Sequence, residues 1–162
     1  MSRLDSFIAR MQAQRDCLNF LKPAIDRLGG PIFEVGLGNG RTYDHLRSLF
    51  PGREIYVCER AVAAHPDCVP PAERLILGDM RDTLPILRAR LGGQVALAHL
   101  DAGSGDAEAN RGLAAALTPL LMPLLCQGAV LVSDPTIENP GLAALPLPDG
   151  IAPGRYHLYR RV

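Results

Sequence analysis

Two hydrophobic periods alternate along this chain. Leu4, Phe7, Ile8 and Met11, then Leu18, Leu21, Ile25 and Leu28, recur at helical spacing with Arg10, Gln12, Arg15 and Asp26 between them. The pattern predicts one or two amphipathic helices before Gly29 and Gly30, divided at Pro23. An apolar stripe of this kind more often packs on a sheet than closes a site as a lid, and packing is the expectation. Short apolar runs follow at 32–35, 54–58, 74–77, 94–100 and 129–132, each long enough for a strand and too short for a helix. Helical patterns separate them. Residues 42–50 carry Leu46, Leu49 and Phe50 on one face. A second helix, capped by Asp82 or Thr83 with Pro85 in its first turn, buries Leu87 and Leu91. A third spans 106–126, bent or split by Pro119 and Pro123. Residues 61–72 read as irregular chain with one helical turn near Val62. Residues 155–159 predict a last strand, and 142–147 another. Strands alternating with helices imply an α/β fold with a mostly parallel, doubly wound sheet covered on both faces, ending in a short antiparallel strand.

The 162 residues fit one domain spanning 1–162, with 1–30 as its N-terminal helical segment. A domain of this size buries roughly 70% of its unfolded surface, so one core suffices. Seventeen basic residues balance seventeen acidic ones. The zero net charge removes the electrostatic footprint of a nucleic-acid or acidic-membrane partner, and it weakens the repulsion that would oppose a homodimer. Cys17, Cys58, Cys68 and Cys126 are scattered without metal or disulfide spacing and read as reduced thiols. No secretory or transit leader and no membrane-length apolar run is evident, so the expected location is cytoplasmic.

The chemistry concentrates where strands end. After the run at 32–35 come Gly36, Gly38 and Gly40, glycines at every second position that let the backbone lie against a ligand. Acids follow four predicted strands in turn: Glu59, Asp79, Asp101 and Asp134. In a doubly wound sheet, ligands bind beyond these carboxyl ends. The dinucleotide fingerprint is G-x-G-x-x-G, with a pyrophosphate at the helix N-terminus. Here the order is G-x-G-x-G with Glu34 two residues before the first glycine, and that carboxylate would repel a pyrophosphate.

The loop from Glu34 to Gly40, with the acids after strands two to four, resembles the class I S-adenosylmethionine-dependent methyltransferases. The string from Gly38 to Leu46 is similar to a small bacterial group of such enzymes. The resemblance covers about residues 32–134 and implies a Rossmann-like three-layer sandwich, S-adenosyl-L-methionine as cofactor and methyl transfer as activity. By that resemblance Glu34, Gly36, Leu37, Gly38, Asn39, Gly40 and Thr42 would cradle the methionine part, and Glu59 would meet the ribose, with Arg60 packing over adenine or staying solvated. Gly78, Asp79 and Met80 would meet the adenine. Asp101 would lie at the methyl end, as an orienting group or a base. Arg41, Tyr43 and His45 open the following helix, where backbone N–H groups could meet the cofactor carboxylate and Thr42 could cap. Arg81 would pack over adenine or stay solvated.

Methyl transfer from a sulfonium is an in-line displacement, so the protein aligns two groups and, for an oxygen or nitrogen acceptor, removes a proton. The candidate bases are Asp101, His99, Asp134 and His157, with His99 read foremost as a structural strand residue. Asp101, Asp106 and Asp134 resemble the metal carboxylates of catechol-type O-methyltransferases, but Pro135 stands where that group has Asn. No metal is therefore expected. The short, proline-rich segment after Asp134 suggests that the usual late helix and final hairpin are truncated. The acceptor is expected to be a small molecule of unassigned identity. The rival readings are an NAD(P)-dependent oxidoreductase and a non-catalytic S-adenosylmethionine-binding protein.

Overall fold

The computed structural model describes residues 2–104 and 106–162. Seven strands form one sheet in the order β3-β2-β1-β4-β5-β7-β6. Strands β1 (Ile32–Val35), β2 (Ile55–Glu59), β3 (Leu75–Leu77), β4 (Val95–Leu100) and β5 (Leu125–Ser133) are mutually parallel. Strand β7 (His157–Arg161) runs antiparallel to β5 and to β6 (Leu142–Ala144). The expected mostly parallel sheet is therefore present. Its final antiparallel pair is complete, whereas no helix follows β5 among the described residues.

The chain builds outward from β1 through β2 to β3, then returns to place β4 on the other side of β1. The reversal lies between β1 and β4, which pair from Ile32 with Leu97 to Val35 with Leu100. Crossovers from both strands leave a crevice there, beyond the carboxyl ends.

Side chains alternate across the sheet. On one face Phe33, Val35, Ala98, Leu100 and Leu131 pack against α3 (Met80–Leu91) and α4 (Ala107–Leu121). On the other, Ile32, Val57, Leu97, Val130 and Val132 meet α1 (Arg3–Asp26) and α2 (Arg41–Leu49). Glu34 and His99 are paired neighbours on this second face, and both are buried.

The first helix departs from expectation twice. It is continuous through Pro23, starting at a Ser2–Asp5 capping box. An internal proline costs about 3 kcal/mol. Leu21 and Ile25 straddle it, and burying each contributes roughly 1.5–3 kcal/mol, which offsets that cost. In addition, only the second half of the stripe packs on the sheet. Leu18, Leu21 and Ile25 are in the core, while Leu4, Phe7 and Ile8 stay exposed because the first turns extend beyond the strand ends.

Two smaller differences share one cause, a turn residue recruited as a cap. Asp79, not Asp82 or Thr83, caps α3, its side chain accepting from the Arg81 N–H. Pro85 then falls inside the helix rather than in its first turn. Gly40, not Thr42, is the N-cap of α2 and offers no side-chain bond. The single turn expected near Val62 forms instead at Pro66–Cys68. Helix α4 runs through Pro119 and ends in a 3-10 turn at Met122–Leu124. Among the described residues no helix is long and apolar enough to cross a membrane.

The division of α1 generates a test. Leu18→Ala leaves a cavity under the helix and should cost about 2–5 kcal/mol. Leu4→Ala should stay within about 0.5 kcal/mol. Urea denaturation midpoints of the two variants measure the difference.

Candidate functional site at the carboxyl edge

The turn between β1 and α2 is held from the neighbouring strand. The Glu59 carboxylate, at the end of β2, accepts from the Leu37 N–H at 2.8 Å and the Gly38 N–H at 3.0 Å through one oxygen. Its other oxygen accepts from the Arg60 N–H at 2.6 Å. Partial burial pushes the carboxyl up, but the backbone donors of Gly38, Arg60 and Leu37 outweigh this and hold it below the usual carboxylate range. Glu59 therefore stays charged and shapes the loop, a role that the strand-end pattern did not reveal.

The three loop glycines answer to different constraints. A Cβ on Gly36 would stand 3.0 Å from the Asp101 carbonyl oxygen, and one on Gly40 only 2.5 Å from the Cys68 Cβ. These two allow close approach of neighbouring chain. Gly38 has φ +53° and nothing within 4 Å of where a Cβ would be, so that position opens into free space.

That space is a cavity of about 470 Å³ beyond β1–β4, lined by Gly36, Gly38, Glu59, Arg60, Asp79, Met80, Arg81 and Asp101, with Asn110 and Leu113 from α4. Asp79 keeps one oxygen on the Arg81 N–H at 2.9 Å and still faces the cavity. A second pocket of about 230 Å³ shares Gly36, Gly38 and Asp101 with the first. It is walled by Glu34, Asn39, Arg41 and Thr42 and roofed by Phe7, Arg10, Met11 and Gln14 of α1. The first helix thus both packs on the sheet and covers the site. Leu37 is buried beneath the loop and presents its backbone N–H, not its side chain, to Glu59. Gly78 lines neither pocket; its N–H continues the edge by donating to the Glu59 carbonyl at 3.0 Å.

Asp101 is dressed from α1. Arg10 donates to one oxygen at 2.7 Å and Gln14 to the other at 2.9 Å. Arg10 also faces Asp134 at 3.8 Å, and the Arg10 Nε is buried without a partner. Burial pushes the Asp134 carboxyl up, against the pull of Arg10. Behind Asp101 lies a polar network inside the core. Gln14 Nε2 is 3.1 Å from the Tyr156 hydroxyl, which is 2.6 Å from His99 Nε2. His99 Nδ1 is 3.6 Å from Glu34 Oε1, and neither Nδ1 nor Glu34 Oε2 has a hydrogen-bond partner. Burial pushes the Glu34 carboxyl up while the neighbouring His99 lowers it.

Arg10, Gln14 and Tyr156 were missed by the sequence reading. Gln14 carried a signal: it lies three residues after Met11 and four before Leu18, a polar residue on an apolar stripe. Arg10 and Tyr156 carried none, because they reach the site from the two ends of the chain.

Other candidates lie elsewhere. His157 bonds Thr136 at 3.2 Å and lines neither pocket, and His99 sits behind Asp101 rather than in the cavity. Asp106 accepts from the Glu108 and Ala109 N–H groups as the cap of α4. Among the described residues no three His, Cys, Asp or Glu side chains gather as a metal group. His45 faces Asn19 at 2.9 Å, and Tyr43 is buried in the core. Burial pushes the Cys17 and Cys58 thiols up to about 11, the range of unreactive packed thiols.

Comparison with known proteins adds sequence and fold relatives. A family model described as S-adenosyl-L-methionine methyltransferase matches residues 1–161. A crystal structure of an S-adenosyl-L-methionine methyl transferase from Silicibacter pomeroyi DSS-3 is 50% identical, with TM-score 0.95, covering 100% of this chain and 99% of that one. TrmN from Thermus thermophilus shares the fold at TM-score 0.57 and 16% identity, over 89% of this chain and 49% of that one. The MycE methyltransferase of the mycinamycin pathway, solved with Mg and SAH, does so at 0.56 and 16% identity, over 91% and 47%. No curated protein matches the chain.

The loop geometry makes its own prediction. Glu59→Ala removes the acceptor of the Leu37 and Gly38 amides, a charge-assisted pair worth about 1.5–3 kcal/mol. In ligand-free protein these two amides should exchange with solvent at least about tenfold faster, since 1.4 kcal/mol is a factor of ten. Hydrogen exchange followed by NMR measures this.

Proposed function

The chain belongs to the S-adenosyl-L-methionine methyltransferase family, and from that membership we propose that it transfers a methyl group to a small-molecule acceptor from a cofactor held in the two connected cavities. It is an enzyme of the methyltransferase class, and S-adenosylmethionine is its cofactor.

The observation that carries the site assignment is the buried Glu34 carboxylate. Four acids, Glu34, Glu59, Asp79 and Asp101, and four arginines, Arg10, Arg41, Arg60 and Arg81, line the two cavities. Glu34 lines the smaller pocket, is 1% exposed and leaves Oε2 without a donor. A buried carboxylate in that condition calls for a cation. An α-ammonium group satisfies it; a pyrophosphate does not. The same carboxylate disfavours the oxidoreductase reading.

S-adenosylmethionine supplies, when bound, an electrophilic methyl group on a positively charged sulfur. The chain's residues orient and exclude. Glu34 and Asp101 would receive the methionine end, together with the backbone at Gly36 and Gly38 and with Asn39, Arg41 and Thr42, all of which line the smaller pocket. Thr42 and Arg41 stand in the first turn of α2, where no side chain caps the N–H groups and an α-carboxylate is favoured. Glu59 receives ribose hydroxyls beside Arg60. Three of its roughly four acceptor positions already hold backbone donors, so the hydroxyls share that carboxylate with the loop. Asp79, Met80 and Arg81 would meet the adenine in the larger cavity, which Leu113 also lines. Leu37, Gly40 and Gly78 act through the shape of the backbone. Asp101 orients the reacting end, its two oxygens fixed by Arg10 and Gln14.

Zero net charge supports a small acceptor over a nucleic acid.

Titration calorimetry should find S-adenosylhomocysteine bound and NADH not bound; the reverse result overturns the assignment. Gly38→Val puts a side chain into the open position at φ +53°, at a backbone cost of about 1–2 kcal/mol. It should keep its cooperative melt and lose at least about a hundredfold in affinity, the size of a 2.7 kcal/mol clash. Methyl transfer from labelled cofactor to a member of a metabolite panel separates an active enzyme from a binding protein.

A further inference from the structure

The buried network behind Asp101 can be oriented from its own donor and acceptor count. Gln14 Nε2 has two hydrogens and three polar neighbours: Asp101 Oδ2 at 2.9 Å, the Tyr156 hydroxyl at 3.1 Å and His99 Nε2 at 3.2 Å. An amide nitrogen only donates. Tyr156 is 0% exposed, and among the described residues its hydroxyl has two hydrogen-bond neighbours, that amide nitrogen and His99 Nε2 at 2.6 Å. Its single proton can therefore be accepted only by His99 Nε2. A nitrogen that accepts carries no proton of its own, so the imidazole hydrogen is on Nδ1, the atom 3.6 Å from Glu34 Oε1. The opposite tautomer would leave the buried Tyr156 proton without an acceptor. It would also point a bare nitrogen lone pair at a carboxylate, two penalties in one place.

From this geometry we propose that Tyr156 is a positioning residue for the cofactor site: its hydroxyl fixes His99 in the Nδ1–H tautomer, so that an N–H dipole stands behind the Glu34 carboxylate. The proposal rests on the reading above, in which Glu34 receives the cationic methionine end. Three stretches distant in sequence take part. Gln14 comes from α1, His99 from β4, and Tyr156 from the segment entering β7. Glu34, at the end of this series, and Asp101, at its start, both line the smaller pocket. Tyr156 thus acts on the site without touching it.

The consequence for binding follows from the surroundings of Glu34. His99 and Asp101 face it from β4, Glu59 from β2, Tyr43 and Arg41 from α2, and Arg10 and Gln14 from α1. The two acids and burial oppose its charge; the His99 N–H, 3.6 Å from Oε1 inside the core, favours it. Burial sets the Glu34 pKa above its ordinary value, so affinity for a cationic ligand is present above that raised pKa and lost as pH falls through it. Without the Tyr156 hydroxyl the imidazole is free to carry its proton on Nε2, and the midpoint of that loss moves to higher pH. All other groups around Glu34 are common to both proteins, so the difference isolates Tyr156.

Two measurements decide. In ligand-free protein labelled with ¹⁵N-histidine, His99 is assigned as the signal missing from His99→Asn. Its shifts should show a protonated Nδ1 and an unprotonated Nε2; the reverse pattern overturns the proposal. Calorimetric titration with S-adenosylhomocysteine across pH 5–9 should show Tyr156→Phe losing affinity at higher pH than wild type. A one-unit move of the midpoint appears as about tenfold weaker binding below it, with near-equal binding above. Glu34→Gln should bind weakly with no such midpoint. A Tyr156→Phe variant weakened by the same factor at every pH overturns the proposal, since that is what loss of packing alone would do. Failure of wild type to bind S-adenosylhomocysteine would instead refute the cofactor reading, and the nitrogen shifts would still decide the tautomer.

Discussion

One carboxylate determines the shape of the binding edge. The turn after β1 must reverse the chain within a few residues, and it does so through glycines at positive φ, which turn backbone N–H groups outward without an internal acceptor. Glu59, delivered by the parallel neighbour β2, takes two of them. The register that places it there is fixed by the core, because Val35 pairs with Cys58 and both are fully buried. A slip of one residue would turn Glu59 toward the helices and leave the loop amides unpaired. Hydrophobic packing in the sheet, the conformation of the loop and the open position at Gly38 are thus consequences of a single alignment.

The acids at the other strand ends inherit that alignment. The Asp101 N–H donates to the Val35 carbonyl and the Gly78 N–H to the Glu59 carbonyl, so the strand ends are stitched into one continuous edge. Collecting carboxylates there has a cost: at 4 Å and an effective dielectric near 20, two like charges repel by about 4 kcal/mol. Arg10 relieves part of it at Asp101 and Asp134, and only because α1 outruns the sheet. The apolar first turns of α1, which contribute little to the core, are the scaffold that carries Arg10 and Gln14 over the site. The first helix therefore has a stability half and a site half.

The parts of this arrangement that were legible in the sequence are those written in local periodicity. All seven strands were anticipated, with ends displaced by a few residues, and so were the glycine loop and the four strand-end acids. Helix starts were misjudged at Asp79 and Gly40, since a strand-end residue and a cap residue look alike when they are the same residue. Pro23 was read as a break because propensity is local, whereas the packing of Leu21 and Ile25 that overrides it is not. The network of Gln14, Tyr156 and His99 was illegible as a unit: its members lie far apart in sequence, and each alone resembles an ordinary core or surface residue. His99 was read foremost as a structural strand residue, and it stands buried inside β4. Its position behind Glu34 follows from strand pairing alone, but its tautomer depends on Tyr156, which no periodicity placed.

The dressing of Asp101 bears on how the proposed site treats charge. Methyl transfer turns a sulfonium into a neutral sulfide, so the positive charge near the reacting end is dispersed on the way to product. Carboxylates that held the sulfonium tightly would stabilise the starting state more than the transition state and slow the step. Asp101 presents itself with both oxygens occupied, by a guanidinium on one side and an amide on the other. Its net field toward the cavity is that of a neutralised pair, whereas Glu34, at the same end, keeps Oε2 without a donor. An α-ammonium group, whose charge is the same before and after transfer, is the partner whose binding to Glu34 adds affinity without opposing the reaction. The site thus separates the charge that holds the cofactor from the charge that is consumed, and the Arg10–Asp101 pair makes that separation.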